Sequence, residues 1–463
     1  MYRCKRLVTI LASFILLFGV TYCSFSLLAC LRPEWAIHAF PLLDPKIRML
    51  PPFADIRSIT AVAGCNASIE HIIHRISVGC DPYGRTGGLG YPPFIYYLAR
   101  GVGLTGGLTN VISLLTGLAY ILSILILSNK SILERAIGGL LLLSLPTQLG
   151  LERMNIDIAL FIGLLLIARL RESSEDRFIA KAVITALLSF FCTASKIYLL
   201  FGICVWLITA SWAGDGPKKL DGAILVGTVA GGVTTIPWLL SGDTFASPIQ
   251  GLFSHGLIYY NVTGNVDLVL TAITTGFLLA GIWTAHSQKD FLETISARYS
   301  HNGNKKGWTM RVSIALSGLS TWLGCYILVG NWDYRFIFVF PWLLLCSEVD
   351  IIQFKWWRNR PFIGRPLPIT ITIQLLAALQ LFSPLAYMLV SNIRGETMNL
   401  SDWLVNPIGM LVRHTASLTI NLTDLAFIPF FAGSSLLTCC LFLKQANNNT
   451  KTNKLFSNST FFY

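Results

Sequence analysis

The sequence predicts an all-α polytopic integral membrane protein: a single bundle of about 10 to 12 transmembrane helices with a long first outer loop. Three observations carry this. Charged residues make up only 13% of the 463 residues, too few to solvate the surface of a soluble domain of this size. Mean hydropathy is +0.62. Apolar stretches of roughly 15 to 28 residues recur from end to end, against the ~20 helical residues needed to cross a hydrocarbon core.

The candidate spans, in order, are 7–31, 107–128, 136–150, 156–170, 182–195, 197–213, 222–240, 266–284, 312–330, 336–349, 367–390 and 417–443. The first is read as an uncleaved signal anchor, because many spans follow it; its "LLAC" ending resembles a lipoprotein cleavage box only faintly. Spans 136–150 and 156–170 meet at Glu152-Arg153, and spans 182–195 and 197–213 meet at Lys196. Each of these four is short for a full crossing, so both pairs are candidates for re-entrant geometry. Residues 1–443 form one domain without a soluble appendage. The outer loop 32–106 contains "IEHIIHRISVG", where Ile69, Ile72, Ile73 and Ile76 fall at helical spacing and predict an amphipathic helix on the membrane surface. The Asn-rich segment 444–463 is expected to be a polar, disordered cytoplasmic tail.

The net charge of +12 poses a choice between nucleic-acid binding and membrane topology. With a cytoplasmic N-terminus, the inner segments hold 23 of the 35 Lys and Arg residues. Most of the outer ones lie in the long first loop, whose export is insensitive to charge. The basic excess is therefore a topology signal, and no nucleic acid partner is required. Most of the eleven cysteines lie inside apolar runs as small hydrophobes. Cys65 and Cys80 share the first outer loop, as either a disulfide or two thiols.

On this topology the polar residues at span ends gather on one side. Asp55 and Arg57 in "FADIRS", Asp81 and Arg85 in "DPYGR", Tyr91 in "YPPF", Arg153 and Asn155 beside Glu152 in "LERMNID", Lys196 in "TASKIY", His255, and Asp333 with Arg335 in "NWDYRFIF" all fall at the outer face. Charged groups at the bilayer boundary are costly unless paired or hydrated, so a one-sided collection marks a candidate site in a water-filled, outward-facing cavity. Each also has a plainer reading. Asp55 suits a proton-accepting carboxylate or a helix N-cap. "DPYG" suits a turn, and Tyr91-Pro92-Pro93 the start of a helix. Arg153 and Lys196 suit anion binding or snorkelling to headgroups. Asp333 and Arg335 suit a mutual ion pair, and His255 a proton-handling or a structural role. There is no Gly-rich phosphate loop, CxxC, HExxH or GxSxG motif. No cofactor is expected, and no ligand spacing demands a metal, although the outer acids leave a divalent cation open.

The ordered set of an acidic residue in the first outer loop, "DPYG…YPPF", "ERMNIDIALFIGLLLIARL", "TASKIYLLF" and "NWDYRFIFVFPWLLL" resembles glycosyltransferase family 87 over about residues 7–350. These are membrane enzymes of the GT-C fold that use polyprenyl-phosphate sugars, typically mannose. The resemblance implies a GT-C-like bundle and an inverting hexosyltransferase acting at the outer face of a cell or inner membrane. It implies a polyprenyl-phosphate sugar donor, a lipid or glycan acceptor, and contact with membrane lipids. It places the general base on Asp55, a second catalytic group on His255, and the donor phosphate near Arg153 or Lys196. The family's acid stands in an "aDf.vY" context where this chain has "FADIRSIT", so Asp81 remains the alternative base.

Two other classes compete. A transporter or flippase of lipid-linked sugars tends to place broken helices and charges near the midplane and to show inverted repeats, none of which is evident in the sequence. An O-antigen ligase or polymerase type of enzyme centres on a late outer loop, whereas the longest in this chain is the first.

Overall fold

In a computed structural model, residues 2–41, 51–65, 91–129, 131–173, 176–212, 218–240, 265–290, 292–293, 305–329, 334–347, 349, 369–378, 381 and 428–459 are described. Among them there is helix and turn but no strand. The helices are α1 Tyr2–Ala29, α2 Ala54–Gly64, α3 Pro93–Gly101, α4 Thr109–Leu127, α5 Ile132–Leu143, α6 Leu145–Arg153, α7 Ile156–Arg171, α8 Phe178–Ser195, α9 Tyr198–Trp212, α10 Asp221–Leu240, α11 Asn265–Ser287 and α12 Lys305–Val329. They are followed by α13 Arg335–Ser347, α14 Ile369–Ala378 and α15 Ile428–Ser459. A single turn, Pro33–Ala36, precedes α2.

Three described helices are singly long and apolar enough to cross a membrane, Arg6–Ala29, Gly106–Leu127 and Phe178–Ser195, and a fourth crossing forms if the bent α5–α6 pair is one span. This is fewer than the twelve expected. Several expected spans lie partly outside the described residues, α9 is only 15 residues long, and α7 carries Asp157, Arg169 and Arg171. The lipid-facing character is plain on α1, where Leu7, Ile10, Leu11 and Phe14 are exposed while Cys23 and Leu27 are buried. Side chains that would be anomalous on a soluble surface are ordinary against acyl chains.

Glycines set the closest helix contacts. A Cβ on Gly231 of α10 would lie 2.0 Å from Thr193 Oγ1 and 2.6 Å from Phe190 O of α8, and one on Gly139 of α5 would lie 2.5 Å from Ile15 O of α1. Without a hydrophobic driving force in lipid, such backbone approach is how helices associate.

The break inside the expected span 136–150 has a local cause. Pro146 lacks an N–H and cannot continue a helix, so the chain turns extended at Ser144 and α6 restarts with proline in its first turn. α5 and α6 are bent by 50°. A second difference lies at the C-terminal end. α15 runs on to Ser459, so residues 444–459, expected to be disordered from their Asn content, continue the helix. Propagation from the packed turns Pro429–Leu443 costs little per residue once the helix is nucleated. The expected amphipathic helix at 69–76 lies outside the described residues.

The charges sort to the two ends of the bundle. At the end reached by the start of α5 and of α12, Arg311 pairs with the fully buried Glu134, which also closes a capping box with Ser131. At the same end, where α7 finishes, Arg171 binds Asp221 at 2.7 Å and Glu172 at 3.0 Å, Lys218 pairs with Glu172, and the Arg171 guanidinium lies 5.6 Å from the Trp206 ring. The 16 residues of α7 put about 24 Å between that network and the opposite end, where the helix begins at Asn155-Asp157.

Candidate active site

Two unusual backbone conformations meet where α2 and α7 begin. Phe53, the N-cap of α2, has φ 64° and ψ 37°, and Met154, between α6 and α7, has φ 45° and ψ 57°. A non-glycine residue in the left-handed region costs on the order of 1–3 kcal/mol and persists where surrounding contacts impose it. The Phe53 amide donates to Glu152 O at 2.7 Å, locking the two turns together.

This lock presents Asp55 to Asn155. The Asn155 side chain accepts from the Asp157 amide at 3.0 Å through Oδ1, as the N-cap of α7, and donates through Nδ2 to Asp55 Oδ2 at 2.5 Å. Because one amide face is committed to the cap, the other is fixed as the donor. Asp55 is not the cap of its own helix: Phe53 holds that position, and Asp55 sits in the first turn, 8% exposed. Arg57 holds the entry to α2 in place, donating from Nε to Pro52 O at 2.7 Å and from Nη2 to Asn110 Oδ1 at 3.0 Å.

Beneath this pair is a carboxylate that the sequence pattern does not single out. Asp157 is fully buried; its Oδ1 accepts from the Tyr198 hydroxyl and its Oδ2 lies 3.3 Å from Arg335 Nε. The Arg335 guanidinium also lies 5.6 Å from the centre of the Tyr198 ring. Tyr198 is anchored in an aromatic chain through Phe338, 6.4 Å away, to Phe161 and Tyr120.

Lys196 stands in the two-residue break between α8 and α9, its backbone extended. Its ammonium lies 4.3 Å from the centre of the Tyr91 ring, a cation–π contact that ties the break to the "YPP" corner. That corner starts a helix as expected, with Pro92 as N-cap and Pro93 in the first turn of α3. Lys196 as a whole is half-buried. Desolvation lowers its pKa below the ordinary lysine value; Asp157 opposes the shift, Arg335 adds to it, and Asp55 opposes it. Four of the sequence candidates are thus drawn together: Asp55, Asn155, Lys196 and Arg335, with Tyr91 at the rim.

Arg153 closes α6 just before the strained Met154. Its Nε is buried and without a hydrogen-bond partner. Among the described residues neither Arg153 nor Lys196 is within ion-pair distance of a carboxylate, whereas Arg335, Arg171, Lys218 and Arg311 are. Lys196 and Arg153, neither with a carboxylate at ion-pair distance among the described residues, are the cations here able to meet an anionic ligand.

His255, Asp81, Arg85 and Asp333 lie outside the described residues. Cys65 is disulfide-bonded. No group of three or more His, Cys, Asp or Glu residues placed to hold a metal occurs among the described residues. No family model matches the chain, and neither a curated protein nor a solved structure matches it.

Proposed function

We propose that the chain is a membrane glycosyltransferase that moves a hexose, mannose by preference, from a polyprenyl-phosphate donor to a lipid or glycan acceptor at the extracytoplasmic face. The observation that supports this reading is an oriented carboxylate, Asp55 held by Asn155, with the Lys196 ammonium near enough to feel its charge; Arg153, two residues before Asn155 in sequence, adds a second cation. A polyprenyl donor keeps its chain in lipid and its phosphate at the headgroup level, where a site at the end of an apolar bundle meets it. The resemblance to glycosyltransferase family 87 and its GT-C fold runs in the same direction, since its ordered motifs supply these residues.

The chemistry follows from the parts. The acceptor hydroxyl gives its proton to the Asp55 carboxylate as its oxygen bonds to the anomeric carbon. The bond from that carbon to the phosphate oxygen breaks on the opposite face, and its electron pair leaves with the polyprenyl phosphate, so the configuration inverts. Arg153, Lys196 and Arg335 then face the charge that grows on the phosphate, where fixed cations in a water-poor site are most effective. Asn155 keeps the Asp55 oxygen aimed while that happens.

A transporter of lipid-linked sugars draws support from one feature, the α5–α6 break ending at the site, since discontinuous helices line many transport sites. Membranes containing the protein, given radiolabelled polyprenyl-phosphate mannose, separate the two. Covalent transfer of label to an acceptor supports the transferase. Absence of transfer with mannose, glucose and arabinose donors alike, together with donor movement between leaflets, would replace it with the transporter.

A further inference from the structure

A carboxylate deep in an apolar helix start must be compensated, and the way Asp157 is compensated has a direction. It is 0% exposed, and its backbone amide closes the Asn155 cap that points at Asp55. Its two oxygens face different groups: the Tyr198 hydroxyl on one, the Arg335 guanidinium at 3.3 Å on the other. The contact with Arg335 is one of charge; neither Asp157 Oδ2 nor Arg335 Nε makes a well-aligned hydrogen bond. Tyr198 completes the arrangement, its hydroxyl on Asp157 and its ring near the Arg335 guanidinium. Asp55, Asn155, Asp157, Tyr198 and Arg335 therefore form one connected string from the carboxylate to the cation.

Resting on the transferase reading above, we infer that Asp157 is a positioning residue: with Tyr198 it holds Arg335 beside Lys196, so that both cations converge on the phosphate of the leaving group. Arg335 begins α13 and Lys196 lies between α8 and α9, so no local sequence feature brings the two together. Asp157, at the start of α7, is the carboxylate whose field both cations share. A purely structural ion pair would hold the helices together but would leave anion affinity unchanged. A carboxylate acting only by its own charge would repel the ligand, and its removal would tighten binding.

The test is the affinity of the full-length protein in nanodiscs for farnesyl phosphate, a soluble stand-in for the product anion, measured for the wild type, Arg335→Gln, Asp157→Asn and the double variant. The expected result is that each single change weakens binding at least about ten-fold, the worth of a charge-assisted contact, and that the double change weakens it no further than Arg335→Gln alone. Tyr198→Phe keeps both charges and nearly all the volume, so it carries the test if Asp157→Asn fails to fold; it is expected to weaken binding at least about three-fold. Tighter binding by Asp157→Asn, additive losses, or unchanged affinity in both Asp157→Asn and Tyr198→Phe would overturn the inference while leaving the phosphate site standing. A wild type that does not bind farnesyl phosphate would overturn both.

Discussion

Asn155 does two jobs with one side chain, and replacing it with serine separates them. Serine is as good an N-cap as asparagine, so Asn155→Ser keeps the bond from the Asp157 amide that opens α7. It is too short to reach from there to Asp55, so the 2.5 Å contact is lost. A hydrogen bond to a charged group is worth about 1.5–3 kcal/mol, and each 1.36 kcal/mol is ten-fold in rate. If that contact holds Asp55 in its reactive orientation, turnover should fall about ten- to a hundred-fold. Thermal stability in detergent should fall through loss of this buried contact, but not through the cap, which survives. Asn155→Ala loses both contacts and should lower stability further, by about 0.5–2 kcal/mol for the cap. Initial rates of sugar transfer alongside melting temperatures decide the matter. Wild-type turnover in Asn155→Ser would refute the claim that this contact aims Asp55, whatever the alanine variant does.

The remaining expectations concern the cation, the ion pair and the helix contacts. Because burial lowers the Lys196 pKa, its ammonium loses its proton below the pH at which an ordinary lysine would. Donor KM should therefore rise toward alkaline pH, and Lys196→Arg, which stays charged, should remove that rise over the same pH series. Arg311→Ala removes this cation from the fully buried Glu134 and should cost up to about 3–5 kcal/mol, seen as a drop in melting temperature; a drop no greater than that of a surface substitution would contradict the assigned pair. Gly231→Leu puts side-chain atoms where Thr193 Oγ1 and Phe190 O already stand, and should reduce folded yield far more than Gly222→Leu, whose site is open.

Much of the site was legible because the chemistry lies in residue types that are expensive in a membrane. Asp55, Arg153, Asn155, Lys196 and Arg335 stand out from the apolar runs, and topology alone put them on one face. Tyr91-Pro92-Pro93 announced a helix start through proline's missing N–H. What escaped had weaker signals. Asp157 sits two residues after Asn155 and reads as a first-turn acid, and only the fold shows that it is fully buried against Tyr198 and Arg335. Tyr198 in "TASKIYLLF" looks like any interfacial tyrosine, because its partner lies 41 positions away. The left-handed turns at Phe53 and Met154 carry no glycine to mark them. The break at Ser144 was legible in principle, since Pro146 falls inside the expected span 136–150. The Asn-rich end of α15 shows the reverse error, composition outweighing the helix already formed before it.

The most direct test of the central claim is transfer of labelled mannose from a polyprenyl-phosphate donor by purified protein in nanodiscs, comparing the wild type with Asp55→Asn and Asp81→Asn at matched levels. General-base catalysis contributes about 10²- to 10⁴-fold, so robust transfer is expected from the wild type and from Asp81→Asn, and a loss of that size in Asp55→Asn. Full activity in Asp55→Asn with loss in Asp81→Asn would move the base to Asp81 and contradict the assignment of the Asp55–Asn155 pair as the oriented base.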